Sequence, residues 1–488
     1  MEERTETLKV KAARGFFWAG MNNFAIQLLN MIFGLVLARL LLPEDYGIVG
    51  MLNVFVGLAS AIQEGGLSSA LINKKDATHA DYQSVFGFNL IVSICIYLIL
   101  FCSTPLIAAF YDVPELIWLG RVLFCGFFFS AVGTVPYVIL VKGMRIKEVA
   151  ISSLTAVFVS GAAGIIMAIC GLAYWGLAIQ SVSMFLIRSL LFCYFSRWRI
   201  HGKLELRRVK PMLSFGLKIL LNRFVDVLNS NILTIILGKF YSKHEVGYYN
   251  QAQKWNYMAY SVLAGMVNSM SQTVLVQASD EKDRQRRAFR KMLQFTSFLS
   301  FPCMLGLALV APEFIVIALT SKWIESALLL QILCIGGSVS PLLWMYSNLA
   351  LSKGKSGVAL CYSITMSLFQ LSAVIFCRPY GIHVMVVVYV LICFIWMILW
   401  QIYAKCSLQI RLLDLVKDIF PFMAAALVGV AIGSWFSSYI HGILFRLLVK
   451  LVCSFGIYVL VMHLFGVTVY RESLQFIKNG LKKVCKRQ

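Results

Sequence analysis

Lys218, Asn222, Asp226 and Asn229 follow an i, i+4, i+8, i+11 spacing inside the apolar stretch PMLSFGLKILLNRFVDVLNSNILTIILGKF at 211–240. That spacing puts all four on one face of a helix. Arg223 lies beside this face and reaches Asp226 at i+3. The stretch is long enough to cross a bilayer, where a charge costs about 2.5–3.5 kcal/mol on insertion scales. A chain keeps such residues where they meet water, a partner or a ligand. The chemistry open to this face is recognition of an anionic group in a wet cavity. Arg223 suits a phosphate or pyrophosphate as a bidentate partner, with Lys218 as a second cation. Asp226 has two readings: it neutralises Arg223, or it binds a coupling cation or proton. For the amides the plainer alternative is glue, bonding one helix to its neighbour.

Other apolar stretches carry polar residues of the same kind. Asn23, Gln27, Asn30 and Gly34 form a stripe on the first span. Gln180 and Arg188 lie on the sixth, Lys254, Asn268 and Gln272 on the eighth, and Asn348 on the tenth. Basic groups outnumber the one acid, so a cavity built from them has positive character. No catalytic constellation accompanies them. Gly354-Lys355-Ser356 resembles the end of a phosphate-binding loop but lacks its first glycine and a preceding strand. The six histidines are scattered, and none of the 13 cysteines forms a CxxC pair. No enzyme activity, metal site, disulfide framework or cofactor is expected.

The chain has 488 residues, 60% hydrophobic and 14% charged, against about 25% charged in soluble domains. It reads as an all-α polytopic membrane protein. About 20 apolar residues are needed per span, and 14 candidates fit. They run near 15–42, 47–63, 84–109, 116–140, 149–171, 174–195, 212–237, 249–276, 292–311, 328–351, 358–377, 383–404, 419–438 and 444–465. The apolar piece Phe314–Thr320 is too short to cross and reads as a re-entrant or interfacial turn. Ser279 to Lys291 reads as a short charged surface helix. The net charge of +22 does not point to nucleic acid, because the basic residues cluster in alternate loops. About 32 of the 44 Lys and Arg fall on the side of the two termini, which makes both termini cytoplasmic.

A 200-residue offset sets Asn222 on Asn22, Lys239 on Arg39, Glu245 on Asp45 and Gly247 on Gly47. Spans 1–6 (residues 1–200) and 7–12 (201–410) then form two six-helix lobes. An even span count per copy makes this a parallel repeat about the membrane normal. Spans 13–14 (411–469) are an appendage. Residues 470–488 form a basic amphipathic tail for the inner leaflet.

ARLLLPEDYGIVGM (38–51), EGGLSSALINKK (64–75), GLAYWGLAIQ (171–180) and FPCMLGLALVAPEFIVIALTSKWIESALLLQIL (301–333) resemble the Wzx-type polysaccharide flippases. These form the polysaccharide transporter family of the superfamily that also holds the MATE exporters. One departure is SQTVLVQAS (271–279), where the family often has a proline. The resemblance implies a MATE-like fold of two lobes around a cavity, with two extra helices. It implies an undecaprenyl-pyrophosphate-linked oligosaccharide as substrate, moved from the cytoplasmic to the periplasmic leaflet of a bacterial inner membrane for capsule, O-antigen or exopolysaccharide synthesis. It further implies drive by an H+ or Na+ gradient or the membrane potential, and functional contact with a glycan polymerase. The alternative on the same fold is a cation-coupled multidrug or metabolite antiporter, which would want acidic rather than basic cavity residues.

Overall fold

A computed structural model describes residues 8–64, 67–74, 76–200, 209–278, 281–467, 469–472 and 475. Their regular structure is helical throughout. In chain order the helices are α1 (Leu8–Leu40), α2 (Pro43–Glu64), α3 (Leu67–Asn73), α4 (His79–Tyr111), α5 (Leu116–Phe124), α6 (Gly126–Lys142), α7 (Ile146–Ile169) and α8 (Tyr174–Ser196). They continue as α9 (Lys210–Phe240), α10 (Lys243–Gln277), α11 (Lys282–Ala318), α12 (Ile324–Ser352), α13 (Ser356–Cys377), α14 (Ile382–Leu408), α15 (Leu412–Ser437) and α16 (Ile443–Leu464). Among the described residues, 12 helical segments are long and apolar enough to cross a membrane. The expected seventh and eighth spans, α9 and α10, are not among them. They are nonetheless 31 and 35 residues long, and a crossing needs only about 20.

Three sequence expectations change in detail. Residues 314–318 do not form a separate piece, because α11 runs unbroken through Pro302 and Pro312 to Ala318. Prolines are tolerated in membrane helices where neighbouring groups re-satisfy the freed backbone. The charged segment from Lys282 onward is the first three turns of that same helix rather than a separate one. The fourth span is two helices, α5 and α6, meeting at Cys125. The expected amphipathic tail lies largely outside the described residues.

The chain divides into two compact units, Met1–Gly247 and Tyr248–Gln488. This division by packing falls later than the boundary expected at 200/201, because α9 packs on α2 and α3 within the first unit. Glycines set the close approaches there. A Cβ on Gly57 would meet the Val227 side chain at 2.9 Å, and one on Gly238 would meet the Tyr111 ring at 2.6 Å. In the same unit α7 and α8 form a hairpin, turned at Gly171, whose φ of +80° favours glycine. Gly164 and Gly176 let its two helices close up, since a Cβ on Gly176 would lie 2.9 Å from the Gly164 carbonyl.

The second unit is built on an aromatic core. Trp400 stacks on Tyr362 at 4.2 Å and on Tyr346 at 6.3 Å. The Tyr346 hydroxyl donates to Gln401 Oε1 at 2.7 Å, so the buried phenol is satisfied. The two appended helices, α15 and α16, pack on α11 and on each other. A bidentate pair fixes α15: Arg290 Nε reaches Asp418 Oδ2 at 2.7 Å and its Nη2 reaches Oδ1 at 3.0 Å. Gln294 adds a 2.6 Å bond to the same carboxylate. Asp418 is only 3% exposed, whereas Asp414 sits 3.8 Å from Arg290 on the open side.

Asp418 is the buried member of this pair, and its removal takes the bidentate acceptor from Arg290 and the acceptor from Gln294, a loss of about 1.5–3 kcal/mol per charge-assisted bond. Asp418→Ala should therefore lower the melting temperature of the detergent-solubilised protein well below that of Asp414→Ala. Equal melting temperatures for the two variants would refute this role for Asp418.

Candidate functional site

The site begins with α9. Its apolar side, including Ile232, Leu233, Ile236 and Leu237, is buried. At 1.5 Å per residue, Arg223 lies about 20 Å from the start of the helix and about 26 Å from its end. Arg223 and Asp226 are both exposed at this middle depth and interact electrostatically. Asn229 continues the face with a buried Oδ1 that has no hydrogen-bond partner among the described residues. The helix thus has one packed apolar side and one open polar side. An exposed charged side halfway along a helix of this length is suited to water or a polar ligand rather than to acyl chains.

The other candidates fall as follows. The side chains of Lys218 and Asn222 lie outside the described residues. On α1, Asn23 is exposed, while Gln27 and Asn30 are half-buried. α1 packs on α7, and α7 on α8. Arg188 on α8 is half-buried, with its guanidinium 5.8 Å from the centre of the Phe185 ring. Lys254 is half-buried on α10 and belongs to the second unit. The first unit therefore holds the α1 stripe, Arg188 and the Arg223–Asp226 pair, and Arg223 interacts with Asp226.

Sequence reasoning passed over several polar groups. Lys450 Nζ on α16 pairs with Glu313 Oε1 on α11 at 2.7 Å, and their side chains are only 11% and 5% exposed. Both charges stand inside apolar runs, so the criterion that singled out Arg223 would have found them. Gln63 Nε2 donates to Ser93 Oγ and to the Phe127 carbonyl, each at 2.9 Å. One turn before Ser93, the Asn89 amide is buried with neither atom bonded among the described residues. The second unit also carries an apolar groove of about 810 Å³ between α10, α11 and α16, lined by Ala259, Pro302, Gly306, Phe314, Leu451 and Phe455. Phe314 and Leu451, which line the groove, are chain neighbours of Glu313 and Lys450.

The residues matched by known proteins include α2 through α11 and the start of α12. A family model described as polysaccharide biosynthesis protein matches residues 36–328. The chain belongs to the polysaccharide biosynthesis protein family. The lipopolysaccharide biosynthesis protein WzxC of Escherichia coli (strain K12) is 22% identical over 375 residues, 76% of this chain and 75% of WzxC. Among solved structures, the lipid II flippase MurJ in an inward closed conformation superposes with a TM-score of 0.77 at 16% identity. That match covers 94% of this chain and 100% of MurJ. An inward-facing multidrug resistance MATE family transporter of the MOP superfamily gives a TM-score of 0.64 at 17% identity, covering 79% of this chain and 94% of the transporter. At these identities the two structures establish the fold, a MATE-like multi-pass membrane protein.

The open face of α9 predicts a labelling pattern. In a variant whose 13 native cysteines are replaced, Arg223→Cys and Asn23→Cys should react with a membrane-impermeant maleimide from one side of the membrane. Ile232→Cys, on the packed face, should not. Failure of Arg223→Cys to react from either side would place it in lipid or in a sealed contact.

Proposed function

We propose that this protein is a flippase for undecaprenyl-pyrophosphate-linked oligosaccharide repeat units, moving them from the cytoplasmic to the periplasmic leaflet for a surface polysaccharide. The observation that carries the reading is the Arg223–Asp226 pair, exposed at mid-depth on α9. A guanidinium there offers a fork of N–H donors to a pyrophosphate. Asp226 holds it partly neutralised until the more highly charged ligand arrives. Asn229 and the α1 amides Asn23, Gln27 and Asn30 are suited to sugar hydroxyls, and Arg188 and Lys218 add positive potential. Lys254 is assigned the same role from the second repeat. The apolar groove of α10, α11 and α16 is of a kind to shelter part of the polyprenyl chain, whose isoprene units need no polar partner.

Both termini are placed in the cytoplasm of an inner-membrane protein, on the strength of the basic loops. Turnover is by alternating access of the two repeats, without nucleotide hydrolysis or any other enzymatic step. Asp226 is the place where an H+ or Na+ gradient would act, by competing with Arg223 for the carboxylate. Membership of a polysaccharide biosynthesis family and the likeness to WzxC support the substrate class. They favour it over the antiporter alternative, for which a basic face is a poor host to cationic drugs.

Loss of a charge-assisted contact costs about 1.5–3 kcal/mol, or roughly 10- to 100-fold in rate or affinity. In cells lacking the native gene, Arg223→Ala should cut polymer display by at least about that factor at equal membrane abundance. Arg223→Lys, which keeps the charge but not the fork, should fall in between. Full display by Arg223→Ala would remove this residue from the site.

A further inference from the structure

The two repeats make the same bend after their first helices. Leu41 N donates to the Leu37 carbonyl and Tyr241 N to the Leu237 carbonyl, both at 2.8 Å. One residue on, Leu42 N donates to Asp45 Oδ2 at 2.9 Å and Ser242 N to Glu245 Oε2 at 3.0 Å. α2 then starts at Pro43 and α10 at Lys243. Within the first unit these bends meet through two glycines. A Cβ on Gly47 would strike the Lys243 carbonyl, and a Cβ on Gly247 would strike the Pro43 carbonyl. The contact is reciprocal in the 200-residue numbering, the mark of a self-complementary contact about a pseudo-twofold axis.

Three ion pairs surround this crossing. Lys243 Nζ lies 2.8 Å from Glu115 Oε1, and Lys239 Nζ 3.3 Å from Asp112 Oδ2. His244 Nε2 lies 2.6 Å from Glu44 Oε1, an ion pair when the imidazole is protonated. All three bases come from the bend of the second repeat. All three acids come from the first repeat, at the start of α2 and in the turn between α4 and α5. Asp45 and Glu245 accept backbone hydrogen bonds within their own bends. The hydrogen bond from Lys243 holds the Glu115 carboxyl below the usual carboxylate range, which keeps that pair ionised at neutral pH. The side chains are part-exposed, from 29% for Lys243 to 78% for Asp112. Pairs at a wet edge are screened by salt and individually weak, unlike an apolar seam.

We propose that this charge-divided contact is the extracytoplasmic gate of the transport cycle, with Asp112, Glu115 and Glu44 as its acid jaw and Lys239, Lys243 and His244 as its basic jaw. The Gly47–Gly247 crossing is the seat on which the jaws close. The assignment rests on the flippase reading and its membrane orientation for the direction of opening. Weak, screened pairs hold the gate shut without locking it, and the acid and basic jaws separate when the first bend of the second repeat swings off α2.

The test measures the gate without substrate. Spin labels on keto-bearing residues at Trp118 and Ser242 report the jaw separation in lipid nanodiscs by pulsed electron resonance. Asp112→Lys with Glu115→Lys should shift the main population outward by about 5 Å or more, the scale of a one-turn movement. Adding Lys239→Asp and Lys243→Glu should bring the original distance back, because the charges then match in reverse. An unchanged distance after the acid reversal, or an outward shift that the counter-reversal does not correct, would overturn the gate. The flippase reading fails separately: responsive jaws with no leaflet exchange of a lipid-linked oligosaccharide would leave the gate standing and remove the substrate.

Discussion

A guanidinium halfway along a helix long enough to cross a bilayer has to be kept out of hydrocarbon, and the packing of α9 in the first unit is consistent with that demand. α9 is packed on one side only. Val227 seats against Gly57 and Gly238 against Tyr111, so the apolar half of the helix is spent on α2 and α4. The polar half, with Arg223 and Asp226, is left open. Glycine matters here because it lets α9 approach α2 and α4 closely at Gly57 and Gly238. Without that closeness, a helix this polar would have little to hold it at depth. The cost of the charge and the tightness of the glycine contacts are two sides of one constraint.

The same economy recurs in the second unit. Arg290 and Asp418 tie α15 to α11, and Lys450 and Glu313 tie α16 to α11. Both pairs fix the appended helices to a single long helix rather than to each other alone. The apolar groove beside Lys450 is bounded by that same helix, α11, so its shape is set by how α16 is pinned.

Much of this was legible in the sequence. Apolar run lengths locate most of the helices to within a few residues, although α1, α10, α11 and α15 begin six to ten residues before the expected spans, and the spacing of Lys218, Asn222, Asp226 and Asn229 marks α9. The 200-residue register of Asp45 with Glu245 and Gly47 with Gly247 proved to be a repeated bend with matching hydrogen bonds. What was not legible depends on contacts far apart in the chain. Nothing local to Glu115 announces Lys243, 128 residues away, and nothing local to Glu313 announces Lys450. Run length misleads at one place: Phe314–Thr320 is too short to cross by itself, but residues 314–318 continue α11. The amides of the α1 stripe remain the least determined by pattern, because an Asn that binds a sugar and an Asn that bonds a neighbouring helix look alike in one dimension.

The central claim is that this chain carries a lipid-linked glycan across the bilayer. Its most direct test is leaflet exchange in proteoliposomes holding a fluorescent undecaprenyl-pyrophosphate oligosaccharide, read by a quencher confined to the outside, with and without an imposed ion gradient. Exchange that requires the protein and exceeds that of protein-free vesicles is the result the account predicts. No exchange of any such glycan, together with gradient-driven efflux of a small organic cation, would contradict it and make the chain an antiporter.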